Sequence, residues 1–329
     1  GATIEGFEIN PNGVDTVSFL ETDMAVVTNG SDNTIKDCRF TGKIIDTDTL
    51  YVLYLRCVVA TGSTNLTVQN CSFDNLDRDL NYRTLGNWQI IRATSCPNLN
   101  ILNNVVTNIR PTPDSSGKNG YITYMDTCND MVIKNNLIYN IKPDASVGSM
   151  GGNLQEGIRF NNCTNATLVN NTVDSMDVTA AFFIQQVFAY RMDNCTGITF
   201  SNNMATSLYC NGFPPPLARG VLSVNCTFTA YACNMWDIGP GGNGQNYYSS
   251  GGVLTVDPTC ISADPQYSDK INGDYELASA SPAQQGDPSF VDWDDTGSPS
   301  GNPANTDTNT RSRMGCTGGP DGEFVGLLE

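Results

Sequence analysis

The stretch Asn98-Leu99-Asn100-Ile101-Leu102-Asn103-Asn104-Val105-Val106-Thr107-Asn108-Ile109 decides how this chain is read, because close copies lie on both sides of it at nearly constant distance. They are NLTVQNCSFDNL from Asn65, DMVIKNNLIYNI from Asp130, NATLVNNTVDSM from Asn165 and GITFSNNMATSL from Gly197, with fainter copies starting at Asp32 and Phe228. Successive starts at 32, 65, 98, 130, 165, 197 and 228 are 31 to 35 residues apart. A fixed period in that range marks an array of stacked units.

Within each copy, Leu66 and Val68, Leu99 and Ile101, Met131 and Ile133, and Ile198 and Phe200 alternate with Thr67, Asn100, Val132 and Thr199. That is the period of a strand with one buried face. A polar pair follows, then an apolar position at Phe73, Val106, Ile138, Val173 and Trp236, so each motif reads as two short strands around a polar bend. Another strand precedes each motif, at Gln89 to Ala93, Tyr121 to Met125, Gly157 to Phe160, Ala189 to Met192 and Val221 to Ser223. Three strands per repeat can pair from coil to coil only in parallel and in register. The expectation is an all-β, right-handed parallel β-helix of about seven to eight coils of ~32 residues, with coils about 4.8 Å apart. It spans residues 1–250 and is followed over 251–329 by an irregular, turn-rich cap or docking region.

Two columns run through the stacked repeats. Asn104, Asn136, Asn171, Asn203 and Asn234 form one, with Cys38 and Cys71 in its place in earlier coils; Cys96, Cys128, Cys163, Cys195 and Cys226 form the other. An asparagine at a bend can bond its neighbour along the stack and satisfy backbone groups of the turn. In-register cysteines point the same way, so buried thiols are expected there, with disulfides among Cys57, Cys210, Cys233, Cys260 and Cys316.

Seventeen Lys and Arg against 34 Asp and Glu give a net charge of −17, which disfavours nucleic acid and anionic membranes as partners. No apolar run is long enough to span a membrane. The first nine residues, Gly1 to Ile9, already read as a strand, so the chain reads as processed or cut from something longer. Twelve cysteines with no histidine and no CxxC make a zinc site a poor reading and favour an oxidising, extracellular or cell-surface location.

The coils, followed by Ala263-Asp264-Pro265-Gln266-Tyr267, Gly273-Asp274-Tyr275-Glu276-Leu277, Ala280-Ser281-Pro282-Ala283 and Arg313-Met314-Gly315-Cys316-Thr317-Gly318-Gly319-Pro320, resemble the PbH1-type right-handed β-helix repeat proteins of secreted and cell-surface bacterial origin. The resemblance covers nearly the whole chain and implies fold more than function, since such proteins include lyases, epimerases, hydrolases, adhesins and structural surface proteins. The absence of histidine removes the signatures of the related hydrolases and epimerases.

One outward column lies six residues before each motif: Arg92, Tyr124, Arg159 and Arg191. It could grip glycan carboxylates or, with Glu156, Lys134 and Lys118 nearby in the repeat, serve β-elimination. The plainer reading is an exposed ladder in which each Arg pairs with Asp126, Asp193 or another carboxylate. Asp292, Asp294 and Asp295, with Asp287 nearby, offer hard oxygens for calcium without any recognised loop spacing. Sequons at Asn29, Asn65, Asn70, Asn162, Asn165, Asn170, Asn194 and Asn225 are glycosylation candidates, and most read better as turn residues. The function expected is an extracellular structural or adhesive protein that contacts polysaccharide and stacks on itself end to end, with a polysaccharide lyase as the rival.

Overall fold

The computed structural model describes residues 1–9, 21–44, 54–78, 87–110, 119–142, 154–179, 186–211, 217–239, 244–284 and 286–287. They form a parallel β-helix of three sheets. Sheet I has nine strands, from Thr3–Glu5 to Val253–Val256; sheet II has eight, from Glu8–Ile9 to Asn234–Ile238; sheet III has eight longer ones, from Glu21–Thr28 to Gly244–Ser250. One coil runs through Gln186–Asp193 of sheet III, Thr199–Ser201 of sheet I and Met204–Asn211 of sheet II. The parallel pairing continues past residue 250, because Val253–Val256 still lies in register with Thr227 to Ala230. Among the described residues no helix is long and apolar enough to cross a membrane.

The alternation in the motif is the in/out alternation of sheet I. Ile101 pairs with Val68 on one side and Ile133 on the other, and all three are buried. Corners are made by residues with positive φ, four in each central coil: Ser95, Asn98, Asn103 and Asn108 in the coil of the opening stretch, at 53° to 56°. A side chain there meets the carbonyl it avoids elsewhere, and Asn and Asp tolerate this best. All eight sequon asparagines, Asn29, Asn65, Asn70, Asn162, Asn165, Asn170, Asn194 and Asn225, occupy such corners. Their amides are also used along the stack: Asn98 Nδ2 donates to Asn65 Oδ1 (2.9 Å), Asn65 to Asp32 (2.7 Å) and Asn225 to Asn194 (2.9 Å).

The asparagine column is buried inside the second bend. Asn104 N–H donates to Asn136 Oδ1 at 3.0 Å, Asn136 to Asn171 at 3.1 Å and Asn171 to Asn203 at 3.0 Å. Each Nδ2 donates at 2.9 Å to a carbonyl of the preceding coil, those of Val68, Ile101, Ile133 and Leu168. Thiols replace the amides at both ends: Cys38 and Cys71 donate to Ile4 and Ile35 at 3.7 Å, and Cys260 to Ala230 at 3.2 Å. Asn234 is not a member. Met204 pairs with Asn234 and Ala205 with Met235, so Cys233 stands opposite Asn203, and Met235 rather than Trp236 faces the core. The shift of one arises earlier in the coil, where the spacing between paired residues falls from 31 at Asp193 and Val224 to 30 at Phe200 and Ala230; Ala232, at φ 46°, then holds the corner that Asn202 holds in the neighbouring coil. Asn234 instead clasps the C-terminal segment, donating to Ala263 O at 2.8 Å and accepting from its N–H at 3.1 Å.

In the cysteine column, Cys96 N–H points at Cys128 Sγ (3.4 Å), Cys163 at Cys195 (3.4 Å) and Cys195 at Cys226 (3.0 Å). Each thiol donates to the carbonyl two residues before it. All eleven described cysteines are free, including Cys57, Cys210, Cys233 and Cys260, for which disulfides were expected. Cys233 and Cys260 do meet, but as consecutive members of one in-register column, with Cys233 N–H 3.4 Å from Cys260 Sγ. Cys316 lies outside the described residues.

After Val256 the chain turns back along the flank. Ile261 N–H bonds Cys233 O at 2.8 Å, and an antiparallel pair, Tyr267–Asp269 with Asp274–Leu277, lies on the outer face of sheet II. Tyr275 packs with Tyr139 and Leu137, and Leu277 and Ala283 pack with Met204 and Ala232. Of the region expected to cap or dock, Val253–Val256 continues the stack, and the antiparallel pair after it docks on a side of the helix.

Candidate ligand-binding face

Arg92, Tyr124, Arg159 and Arg191 lie in direct register on the outer face of sheet III, and the column continues to Leu222 and Tyr248. A second column runs beside it: Gln89, Tyr121, Glu156, Phe188, Arg219 and Gln245. Sequence reasoning missed its members apart from Glu156. The signal was present, since they recur three residues before the first column in every coil.

The centre of the face is a closed set of charges. Glu156 is fully buried beneath two guanidinium groups, with Arg191 Nη1 at 2.8 Å from Oε1 and Arg159 Nη1 at 3.3 Å from Oε2. Arg159 Nη2 also reaches Asp193 at 3.0 Å, and Arg191 Nε reaches the same carboxylate at 2.9 Å. Two cations and two anions therefore cancel. Burial raises Glu156 above the ordinary carboxylate range, with both arginines pulling the other way. Burial acts to lower Arg191, and Glu156 and Asp193 more than offset it, leaving its pKa raised. The plainer reading of the arginine ladder thus holds for its two central members, although Asp126 is engaged by Asn161 Nδ2 at 2.8 Å.

Aromatic rings surround this set. Arg159 lies 5.2 Å and 5.3 Å from the ring centres of Tyr121 and Tyr124, and donates to the Tyr121 hydroxyl at 3.2 Å. Phe188 is covered by Arg191 at 5.8 Å and Arg219 at 5.7 Å, and Arg219 stacks at 3.7 Å over Tyr248. Arg92 donates to Gln89 at 3.3 Å. Rings and planar guanidinium groups alternating along a sheet suit flat ligands with polar edges.

Lys134 is not part of this face. It sits in sheet I, paired with Leu102 and Val169, so proximity along the repeat did not become proximity in space. Lys118, Asp292, Asp294 and Asp295 lie outside the described residues. Asp287 accepts from Ser201 Oγ at 3.0 Å. Among the described residues no group of three or more acidic or cysteine side chains has the arrangement of a metal site.

A second buried carboxylate lies on sheet II. Asp174 is fully buried and accepts from Lys270 Nζ (2.7 Å), the Tyr275 hydroxyl (2.7 Å), Ser175 Oγ (2.7 Å) and the Thr206 hydroxyl. Lys270 also donates to Ser207 Oγ at 3.0 Å. Burial, reinforced by Asp174, pushes the Tyr275 hydroxyl pKa far up, so it remains a donor. This cluster fastens the C-terminal segment. No known family model matches the chain, and no curated protein sequence is similar to it.

Proposed function

We propose that this chain is a non-catalytic, extracellular or cell-surface β-helix protein of the PbH1 type, whose sheet III face contacts polysaccharide and whose coils stack end to end on other copies. The observation that carries the reading is the pairing of Arg159 and Arg191 with Glu156 and Asp193, beside the partly exposed rings of Tyr121 and Tyr124. A lyase needs a cation free to neutralise the substrate carboxylate and a base beside it. Here the two central guanidinium groups are committed, Lys134 is on another sheet, and Arg219, which bonds no carboxylate among the described residues, stands beside Gln245, Phe188 and Tyr248 with no carboxylate or lysine in contact to act as base. The rings that remain offer sugar-stacking surface. Exposed apolar side chains at the two ends of the helix, Phe7 at 61% and Val253 at 59%, support axial stacking.

The test is to titrate the protein with alginate, pectate and chondroitin oligosaccharides while recording heat and ultraviolet absorbance. Binding without a rise in absorbance, weakened by Tyr124→Ala, is the expected result. A rise from an unsaturated product would overturn the non-catalytic reading in favour of β-elimination. Electron microscopy over a range of concentrations tests the stacking separately, filaments supporting it and isolated short rods refuting it.

A further inference from the structure

We propose that Arg219 is the contact for a carboxylated or sulfated sugar, so that the ligand of the sheet III face is an acidic rather than a neutral polysaccharide. This rests on the reading of sheet III as a glycan-contacting face. Arg219 differs from its neighbours one and two coils away. Arg159 and Arg191 each bond carboxylates, whereas among the described residues no carboxylate bonds Arg219. Its Nε donates to the exposed Gln245 Oε1 at 3.2 Å, which leaves the other N–H groups of the fork available.

The rings set its orientation. The centre of the Tyr248 ring, on the other column, lies 3.7 Å from the guanidinium carbon, and that of Phe188, one coil back in the same column, lies 5.7 Å away. A guanidinium lying against a ring directs its N–H groups outward along its own plane, the geometry that meets a carboxylate or sulfate with two parallel bonds. Partial burial lowers the pKa of Arg219 from its ordinary value, and the positive charge of Arg191 acts in the same direction, so the group sits in a setting that an anion would relieve. The half-buried Tyr248 ring beside it can stack on the apolar face of the same sugar. The closed centre of the face then repels neither sign, and selection falls to Arg219, a ring-stacked cation that bonds no carboxylate among the described residues.

The net charge of −17 opposes an acidic ligand at long range. Recognition must therefore be short-range, and it is best measured near physiological salt, where the Debye length is about 8 Å. The probes are hexagalacturonate against its methyl ester, and a chondroitin sulfate hexasaccharide against its desulfated form, each titrated by calorimetry. At least one charged probe should bind roughly tenfold or more tightly than its neutral counterpart. Arg219→Gln should abolish that ratio while leaving the neutral form's affinity nearly unchanged, and Arg219→Lys should restore part of it. Circular dichroism checks that each variant is folded; since the readout is a charged-to-neutral ratio in one protein, a general loss of fold cannot imitate it. If charged and neutral forms bind alike, or the ratio survives Arg219→Gln, the acidic subsite is wrong and the glycan face stands. If no oligosaccharide binds at all, both are wrong.

Discussion

Sheets II and III each bury a carboxylate on an outward face, and they treat it differently. On sheet III, Glu156 is closed over by arginines of its own and the next coil, and the face stays open around them. On sheet II, Asp174 is closed over by Lys270 and Tyr275, 96 and 101 residues away in sequence, and the face is covered. The first carboxylate makes a surface neutral. The second makes a surface adhesive to the chain's own C-terminal segment. A buried acid on a β-helix face thus acquires its role from where its donors come from in the chain.

The largest effect that would separate the two is expected from Glu156→Ala. It leaves two part-buried guanidinium groups to share the single carboxylate of Asp193, one positive charge in excess, and should cost about 3–5 kcal/mol of global stability, the usual penalty for removing one partner of a buried pair. Replacing the set together, Glu156→Leu with Arg159→Met and Arg191→Met, should recover much of that loss in a denaturant titration. Asp174→Ala should act more locally. Losing its charged bonds should cost roughly 2–3 kcal/mol, felt as release of residues 262–287, so that limited proteolysis cuts this segment while the coils remain intact. If the coils unfold with it, the segment is integral to the helix and the contrast collapses.

Acid titration probes the same contrast with a smaller signal. Because burial raises the pKa of Glu156, the native state holds its proton at pH values where the unfolded chain has lost it. Stability from this group should therefore be greatest below the ordinary glutamate value and fall as pH rises through the window up to the raised one. Glu156→Gln should flatten that slope, measured as the denaturation midpoint against pH; an unchanged slope would assign it elsewhere. The smallest effect concerns the coil from which the C-terminal segment departs. Cys96 and Cys260 are both pulled down to about 7, chiefly by the thiol of the neighbouring coil, but Cys96 is fully buried while Cys260 is partly exposed. Iodoacetamide should label Cys260 first at neutral pH, and faster still in Asp174→Ala if the segment shields it.

Much of this was legible in sequence because a repeat turns distance along the chain into adjacency in space. Arg92, Tyr124, Arg159 and Arg191 share one offset, and that alone put them side by side. The same rule misled where the offset slipped: it falls from 31 residues at Asp193 and Val224 to 30 at Phe200 and Ala230, so Asn234 lies one position past the column and Cys233 stands in it. Lys134 failed differently, since proximity within a coil does not say which of three sheets a residue faces. The Asp174 cluster was illegible because Lys270 and Tyr275 lie beyond the last repeat, where no period carries the reading across nearly a hundred residues. Arg219 was legible and overlooked, its column being mixed in residue type while its neighbour column was dominated by arginine.

The asparagine column carries one more implication. Asn104, Asn136, Asn171 and Asn203 make interchangeable bonds, so a folding chain could seat a coil one repeat out of place and still satisfy that bend. Thiols stand at both ends of the run, Cys38 and Cys71 before it and Cys233 and Cys260 after it, and where a thiol takes both of the amide's bonds, as Cys260 does with Cys233 N–H at 3.4 Å and Ala230 O at 3.2 Å, it takes them at longer reach. They act as end markers on a ruler whose inner divisions look alike. A chain whose markers were changed to asparagine would lose this punctuation and should fold into a mixture of slipped stacks, although each bend in it would be individually content.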